Sequence, residues 1–371
     1  MQTKVQKLIV TSGFLQIFQI NLLHRSARGL IENYLLKLIE RYKFRADNLN
    51  SIVLPRSNLI YALVAVFLVT IFAIALTPKP VSSEQGTDYT LLGTWGSKGL
   101  ESGQFNVPHS LAFDRFGNAY VSDTNNHRIQ KFTAKGQFIT KWGSKGNATG
   151  QFRSPEGIDV DSQGNVYVAD TGNSRIQKFT DDGKFITKWG SRGSDDGQFS
   201  KHAHGVVVDS SNYVYVTDRF HHNIKKFTDE GKFITKWGIE GSGDGQFNEP
   251  HSSVIDSDGN VYVSDINNHR VQKFTDEGKF ITKWGIEGNG DGQFLLPLGI
   301  GIDSKDNLYI VDQKRSSIEK FTDEGKFIQR ILIPHGSNSS SSLEDIELDK
   351  NDSIYVTDRG DHNIKIYAPI K

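Results

Sequence analysis

From residue 89 onward, short apolar runs alternate with turn-forming pairs on a fixed period. Gly157-Ile158-Asp159-Val160 leads to Gly164-Asn165, and Val166 to Ala169 leads to an Asn-rich turn. Arg175 to Phe179 leads to Asp182-Gly183, and Phe185 to Trp189 closes the unit. Runs this short, with alternating side chains and Gly-Asn or Asp-Gly breaks, predict strands of an antiparallel meander. Tyr120, Tyr167, Tyr215, Tyr262, Tyr309 and Tyr355 recur 46–48 residues apart. Each is followed three residues later by an aspartate: Asp123, Asp170, Asp218, Asp265, Asp312 and Asp358. Six units of four strands each predict an all-β fold, a six-bladed β-propeller over residues 89–371.

The pattern also predicts how the ring closes. The sixth unit ends at Ile364 to Tyr367 and lacks the outer Phe-Ile-Thr-Lys-Trp-Gly strand. Leu92-Gly93-Thr94-Trp95-Gly96, ahead of the first unit, looks like that missing strand. The N-terminal strand around Trp95 is therefore expected to complete the last blade, as Trp142, Trp189, Trp237 and Trp284 complete theirs.

The first 88 residues follow a different pattern. Leu59 to Leu76 is apolar throughout, with no charge, Gly or Pro. As a helix it would run about 27 Å, close to the thickness of a bilayer's hydrocarbon core. Residues 1–58 hold nine basic and three acidic residues, so this piece is +6 within a chain whose net charge is 0. The positive flank predicts a single-pass signal-anchor, with the N-terminus cytoplasmic and the propeller on the far side of the cell membrane. Leu30, Ile31, Tyr34, Leu35, Leu38 and Ile39 predict an amphipathic helix within 1–58. Residues 77–88 read as a polar linker.

Charge and composition narrow the chemistry. Outside 1–58 the chain is −6, so no nucleic-acid partner is expected for the propeller. The absence of cysteine excludes disulfides, thiolate metal sites and thiol nucleophiles. No Gly-x-Ser-x-Gly nucleophile motif or phosphate loop stands out.

The repeat resembles the NHL-repeat family of six-bladed propellers, on Asn126-His127-Arg128 and Asn268-His269-Arg270. That resemblance implies a scaffold role for the features every unit shares. The repeated aspartates would accept turn N–H groups, and Arg128, Arg175 and Arg270 would pair with them between blades. The Trp and Phe of the outer strands would pack blade against blade.

Function is then sought where the units differ. The residue five before the aspartate that ends each inner strand is His109, Glu156, His204, His251, Leu298 or Glu344. In a closed ring all six would converge on one channel mouth. Three imidazoles and two carboxylates there suit Zn²⁺ or another divalent cation. Val107-Pro108-His109-Ser110-Leu111-Ala112 and His204-Gly205-Val206-Val207-Val208-Asp209 resemble the zinc-ligand segments of the peptidyl-α-hydroxyglycine α-amidating lyases, and Asp218-Arg219 resembles their active-site arginine segment. The resemblance implies a third ligand in the fifth blade, where Leu298 stands, and a tyrosine base where Gly172 stands.

The main functional expectation is a membrane-anchored extracytoplasmic binding module for a protein, peptide or glycan. Arg219, Phe220, His221, His222, Lys314, Arg315 and Arg359 break the consensus in the top-face turns and are the expected ligand contacts. The alternative is a metal-dependent lyase or lactonase at the channel mouth, with Arg219 as its candidate catalytic residue.

Overall fold

A computed structural model describes residues 89–334 and 342–370. The expected span at 59–76, the segment 1–58 and the linker 77–88 lie outside these residues. Among the described residues no helix is long and apolar enough to cross a membrane.

Each unit forms one antiparallel four-stranded sheet, and there are six. In blade 1 the strands are Pro108–Phe113, Ala119–Asp123, Arg128–Phe132 and Phe138–Trp142, from the channel outward. The inner strands of blades 2 to 6 are Pro155–Val160, Ala203–Val208, Pro250–Ile255, Pro297–Ile302 and Leu343–Leu348. Blade 6 is completed as the sequence predicted. Strand Tyr89–Trp95 pairs antiparallel with Asn363–Pro369, Trp95 opposite Ile364 and Leu91 opposite Tyr367. The Tyr89 and Tyr309 hydroxyls meet at 2.8 Å, tying this first strand to blade 5.

The second strands are buried throughout, because both faces are covered by neighbouring blades. Aromatic rings fill the seams. Phe152 packs on Phe179, and Trp142 lies against Tyr120 and Phe179. Trp189 covers the turn glycine Gly231 so closely that a Cβ there would sit 2.4 Å from the indole. Gly231 also holds φ +89°, a conformation that suits glycine.

The repeated aspartates accept loop and turn N–H groups as expected, but their arginines pair with them inside a blade and not between blades. Asp123 is fully buried and accepts N–H from Asn106, in the loop leading into its own blade. Arg128 Nε donates to Asp123 Oδ2 at 2.7 Å, and its guanidinium reaches the carbonyls of Leu100, Glu101 and Gln104. Arg175 and Arg270 do the same. These pairs lie inside one blade and fasten its lead-in loop rather than joining two blades. Where the arginine is missing, another cation takes the place. Lys225 reaches Asp218 at 2.9 Å, Lys365 reaches Asp358 at 2.7 Å, and Arg315 lies 3.5 Å from Asp312. Ion pairs that do join neighbouring blades include Lys131–Asp181, Lys178–Asp229, Lys226–Asp276 and Lys273–Asp323.

Candidate functional site

In every blade the inner strand pairs with the second strand through a register shift, and the shift spans the mouth position. In blade 1 it falls between Pro108 and Leu111, so His109 and Ser110 lie within it. Such bulges re-aim side chains, and here the six equivalent bulges repeat around the channel. Small residues let the strands converge. A Cβ on Gly157 would stand 2.4 Å from the His204 carbonyl oxygen.

The structure brings His109, His204, His251 and Glu344 together. One donor atom from each lies within 4.8 Å of all the others, and all four residues are buried. His109 Nε2 and His251 Nε2 lie 3.1 and 3.2 Å from Glu344 Oε1. The His204 and His251 ring centres are 4.0 Å apart, and His204 Nδ1 lies 3.0 Å from the His251 carbonyl oxygen. Arg359 Nη1 donates to Glu344 Oε2 at 2.9 Å. Glu156 stands beside this group rather than in it, 3.5 Å from His204 Nε2 and 3.8 Å from His202 Nδ1. Leu298 fills the fifth-blade position, buried.

The electrostatics of the four groups differ. Burial disfavours the charge on His109, yet the charge and hydrogen bond of Glu344, with Glu156 behind, hold its pKa above the ordinary imidazole value. Burial, then the nearby His251, pushes His204 well below it. Burial also lowers His251, against the pull of Glu344. Glu344 is held well below the usual carboxylate range, because His109 and His251 outweigh its burial. Glu156 is likewise lowered against its burial, by His204 first and then by His202.

Several buried atoms at this mouth have no hydrogen-bond partner: His109 Nδ1, His251 Nδ1, Glu156 Oε2 and His202 Nδ1. Orphaned donors and acceptors are costly. Imidazole nitrogens and carboxylate oxygens converging from four blades are also the donor set that borderline divalent cations take. The residues therefore fit such an ion.

Beneath the mouth lies a cavity of about 170 Å³ walled by all six inner strands. Asp159, Asp345 and Glu347 line it, and the sequence reading missed them. Asp159 accepts N–H from Val160 and Val208, both at 2.7 Å, and burial among acids pushes its pKa up to about 7. Asp345 accepts from Ser110 and is pushed up to about 6, mainly by burial. Burial, with Asp159 and Asp345 nearby, raises Glu347 well above the carboxylate range. The signal was present: at this inner-strand position the other blades carry Ala112, Val207, Val254 and Gly301, against Asp159 and Glu347.

The top-face residues divide. Arg219 clasps Glu249 with two N–H groups at 3.0 and 2.6 Å, while its charge still acts on His204 and His251. Phe220 stands edge-on to His202, with Lys201 and Arg219 against its ring. His221 Nδ1 lies 2.8 Å from Asp218. Lys314 is exposed. His222 Nδ1 accepts the Glu249 N–H of the next blade, as His127 accepts Ser154 and His362 accepts Val107. Arg315 is engaged by Gln293 O, Gly288 O and Glu319. His222 and Arg315 thus work in the scaffold, whereas Arg219, Phe220 and Arg359 rim the mouth. Gln313, which donates to the Leu343 carbonyl and lies 3.4 Å from Glu344, joins them unforeseen.

The family model described as the NHL repeat matches residues 105–132 and 152–179, and one described as a six-bladed β-propeller matches 252–368. The chain carries NHL repeats, built into a six-bladed β-propeller. No curated protein matches it. Among solved structures it is similar to a streptogramin B lyase (TM-score 0.55, 14% identity, covering 76% of this chain and 97% of that one). It is also similar to the virginiamycin B lyase of Staphylococcus aureus (0.54, 16%, 76% and 98%). A gluconolactonase of Xanthomonas campestris is a third (0.55, 14%, 72% and 87%). These likenesses are of fold.

Proposed function

We propose that this NHL-repeat propeller is a cation-dependent binding module, held at a membrane by residues 59–76, that receives a protein, peptide or glycan at its channel mouth. The observation that carries the reading is the buried convergence of His109, His204, His251 and Glu344, four donor atoms within 4.8 Å. A divalent ion bound there, zinc first by donor chemistry, would supply a fixed positive charge at the mouth. The residues around it do the rest. Arg359 and the Gln313 amide orient Glu344, and Arg219 and Phe220 offer a cationic and aromatic rim to an arriving ligand.

Binding is favoured over turnover because four protein donors are the number a closed, structural site uses, whereas catalytic sites keep a position open. Metal content and calorimetric titration of the full chain with Zn²⁺ test the reading. One equivalent is expected for the wild type and none for H204A with E344Q. Equal metal content in both would sink it. Protease added to intact cells tests the topology, with the C-terminal portion expected to be cut and residues 1–58 spared.

A second reading, a metal-dependent lyase or lactonase, is favoured by one observation. Glu156 Oε2 lacks a hydrogen-bond partner beside the histidines, an ionised carboxylate free to hold a polar substrate group there. Its fold-mates among solved structures include a streptogramin B lyase and a gluconolactonase. Lactone-opening and streptogramin B cleavage assays, wild type against E156Q, distinguish it: turnover lost in E156Q with metal retained would favour the enzyme.

A further inference from the structure

Six blades of one repeat act as controls for one another, and their outer edges are not alike. In blades 1 to 4 the outer strand reads Phe-Ile-Thr-Lys-Trp, with Lys141, Lys188, Lys236 and Lys283 at its fourth position. In blade 5, Arg330 occupies that place. Two are held by loops, Lys236 by Asp196 at 2.9 Å and Lys283 by Asp244 at 2.6 Å, and Arg330 is held by Glu319 on the adjacent strand at 2.7 Å. A cation on an edge strand blocks edge-to-edge pairing.

Blade 6 differs. Its outer strand, Tyr-Thr-Leu-Leu-Gly-Thr-Trp, has Thr94 at the cation's position and no charge along its length. It has seven residues, where the others have five or six. Leu91 and Leu92 are 51% and 61% exposed, against 37% and 44% for the equivalent Phe138 and Ile139. Ile370, next to the strand's partner Pro369, adds 60% exposure.

We infer that this edge is a homodimer interface, on which two copies of the chain pair blade 6 to blade 6 as antiparallel strands about a two-fold axis. The argument for a second copy is electrostatic. Two-fold pairing sets an edge against itself, so any charge it carries is brought close to its own duplicate. Blades 1 to 5 would bring cation towards cation. Blade 6 sets only Thr, Leu, Gly and aromatic side chains against the same set, while the unpaired N–H and C=O groups of both strands find partners. A foreign strand would require no such self-compatibility. The inference is independent of the channel mouth.

The chain's lack of cysteine makes the test clean. Full-length L92C, in mild detergent, is treated with a short bis-maleimide beside I139C, its counterpart in blade 1. Sedimentation of the wild type and T94K is followed over a range of protein concentration. The expected results are a concentration-dependent dimer for the wild type, crosslinking of L92C but not I139C, and a monomer for T94K with unchanged circular dichroism. Lysine already stands at this position in four sibling blades, so T94K is compatible with the sheet. A wild type that stays monomeric, a dimer untouched by T94K, or equal crosslinking of L92C and I139C would overturn the inference.

Discussion

Asp159 offers the sharpest test of the channel's physics. Its carboxylate is held by two backbone N–H groups, from Val160 and Val208, and its charged neighbours Asp161, Asp345 and Glu347 are all acids. Burial and these neighbours push its pKa up to about 7, from an ordinary value of 3.8. Between those two values the native state holds a proton that the unfolded chain has released. Stability therefore falls as pH rises through this window and is fully reduced above pH ~7. Three units correspond to about 4 kcal/mol at most.

Asp159→Asn removes the titration, but its amide can accept only one of the two N–H groups well. The orphaned donor costs about 1–2 kcal/mol. By pH 5 the wild type has itself lost up to about 1.6 kcal/mol, so the variant should lie close to it there and be more stable by about 2–3 kcal/mol at pH 9. Urea unfolding of both proteins at the two pH values reads this divergence directly. If the difference between them is the same at pH 5 and pH 9, Asp159 is not held protonated and the account of the channel fails.

Three further outcomes follow from the scaffold. Arg175→Leu strands the fully buried Asp170 without its cation and should cost about 3–5 kcal/mol in denaturant unfolding, with zinc uptake unchanged in whatever fraction remains folded. Gly231→Ala forces a Cβ against Trp189 at φ +89° and should cost about 2–3 kcal/mol, whereas Gly259→Ala, at φ +87° with nothing within 4 Å, should cost less in the same melt. His362 Nδ1 accepts the Val107 N–H across the seam between the last and first blades. Burial, then Lys98, lowers its pKa, so this seam's stability is present above pH ~6.5 and is lost as pH falls towards the folded value. His362→Ala should lower stability by about 1 kcal/mol at pH 7.5 and by less at pH 5; an equal loss at both would refute the hook.

A repeat writes its fold into the sequence because each blade is a local object. Alternation and Gly-Asn or Asp-Gly turns set the strands. The unit lacking an outer strand and the spare strand around Trp95 set the closure, which the pairing of Trp95 with Ile364 bears out. The mouth position was legible for the same reason: aligning six units is enough to find His109, His204, His251 and Glu344 in one register. Charged partners were not legible at that level. Arg128 was expected to reach across blades and instead serves its own lead-in loop. Arg315 looked like a ligand contact because it breaks the consensus, and it replaces the arginine that blade 5 lacks.

What the sequence alone determined is therefore everything that repeats along the chain: six sheets, their order, their closure and the ring of residues facing the axis. What only the tertiary structure decided is radial. Whether Glu156 joins Glu344 or turns to His202, and whether Asp159 and Glu347 share one cavity with Asp345, depend on bulges and distances across the channel. Residues far apart in the chain meet there, and no local pattern encodes that meeting.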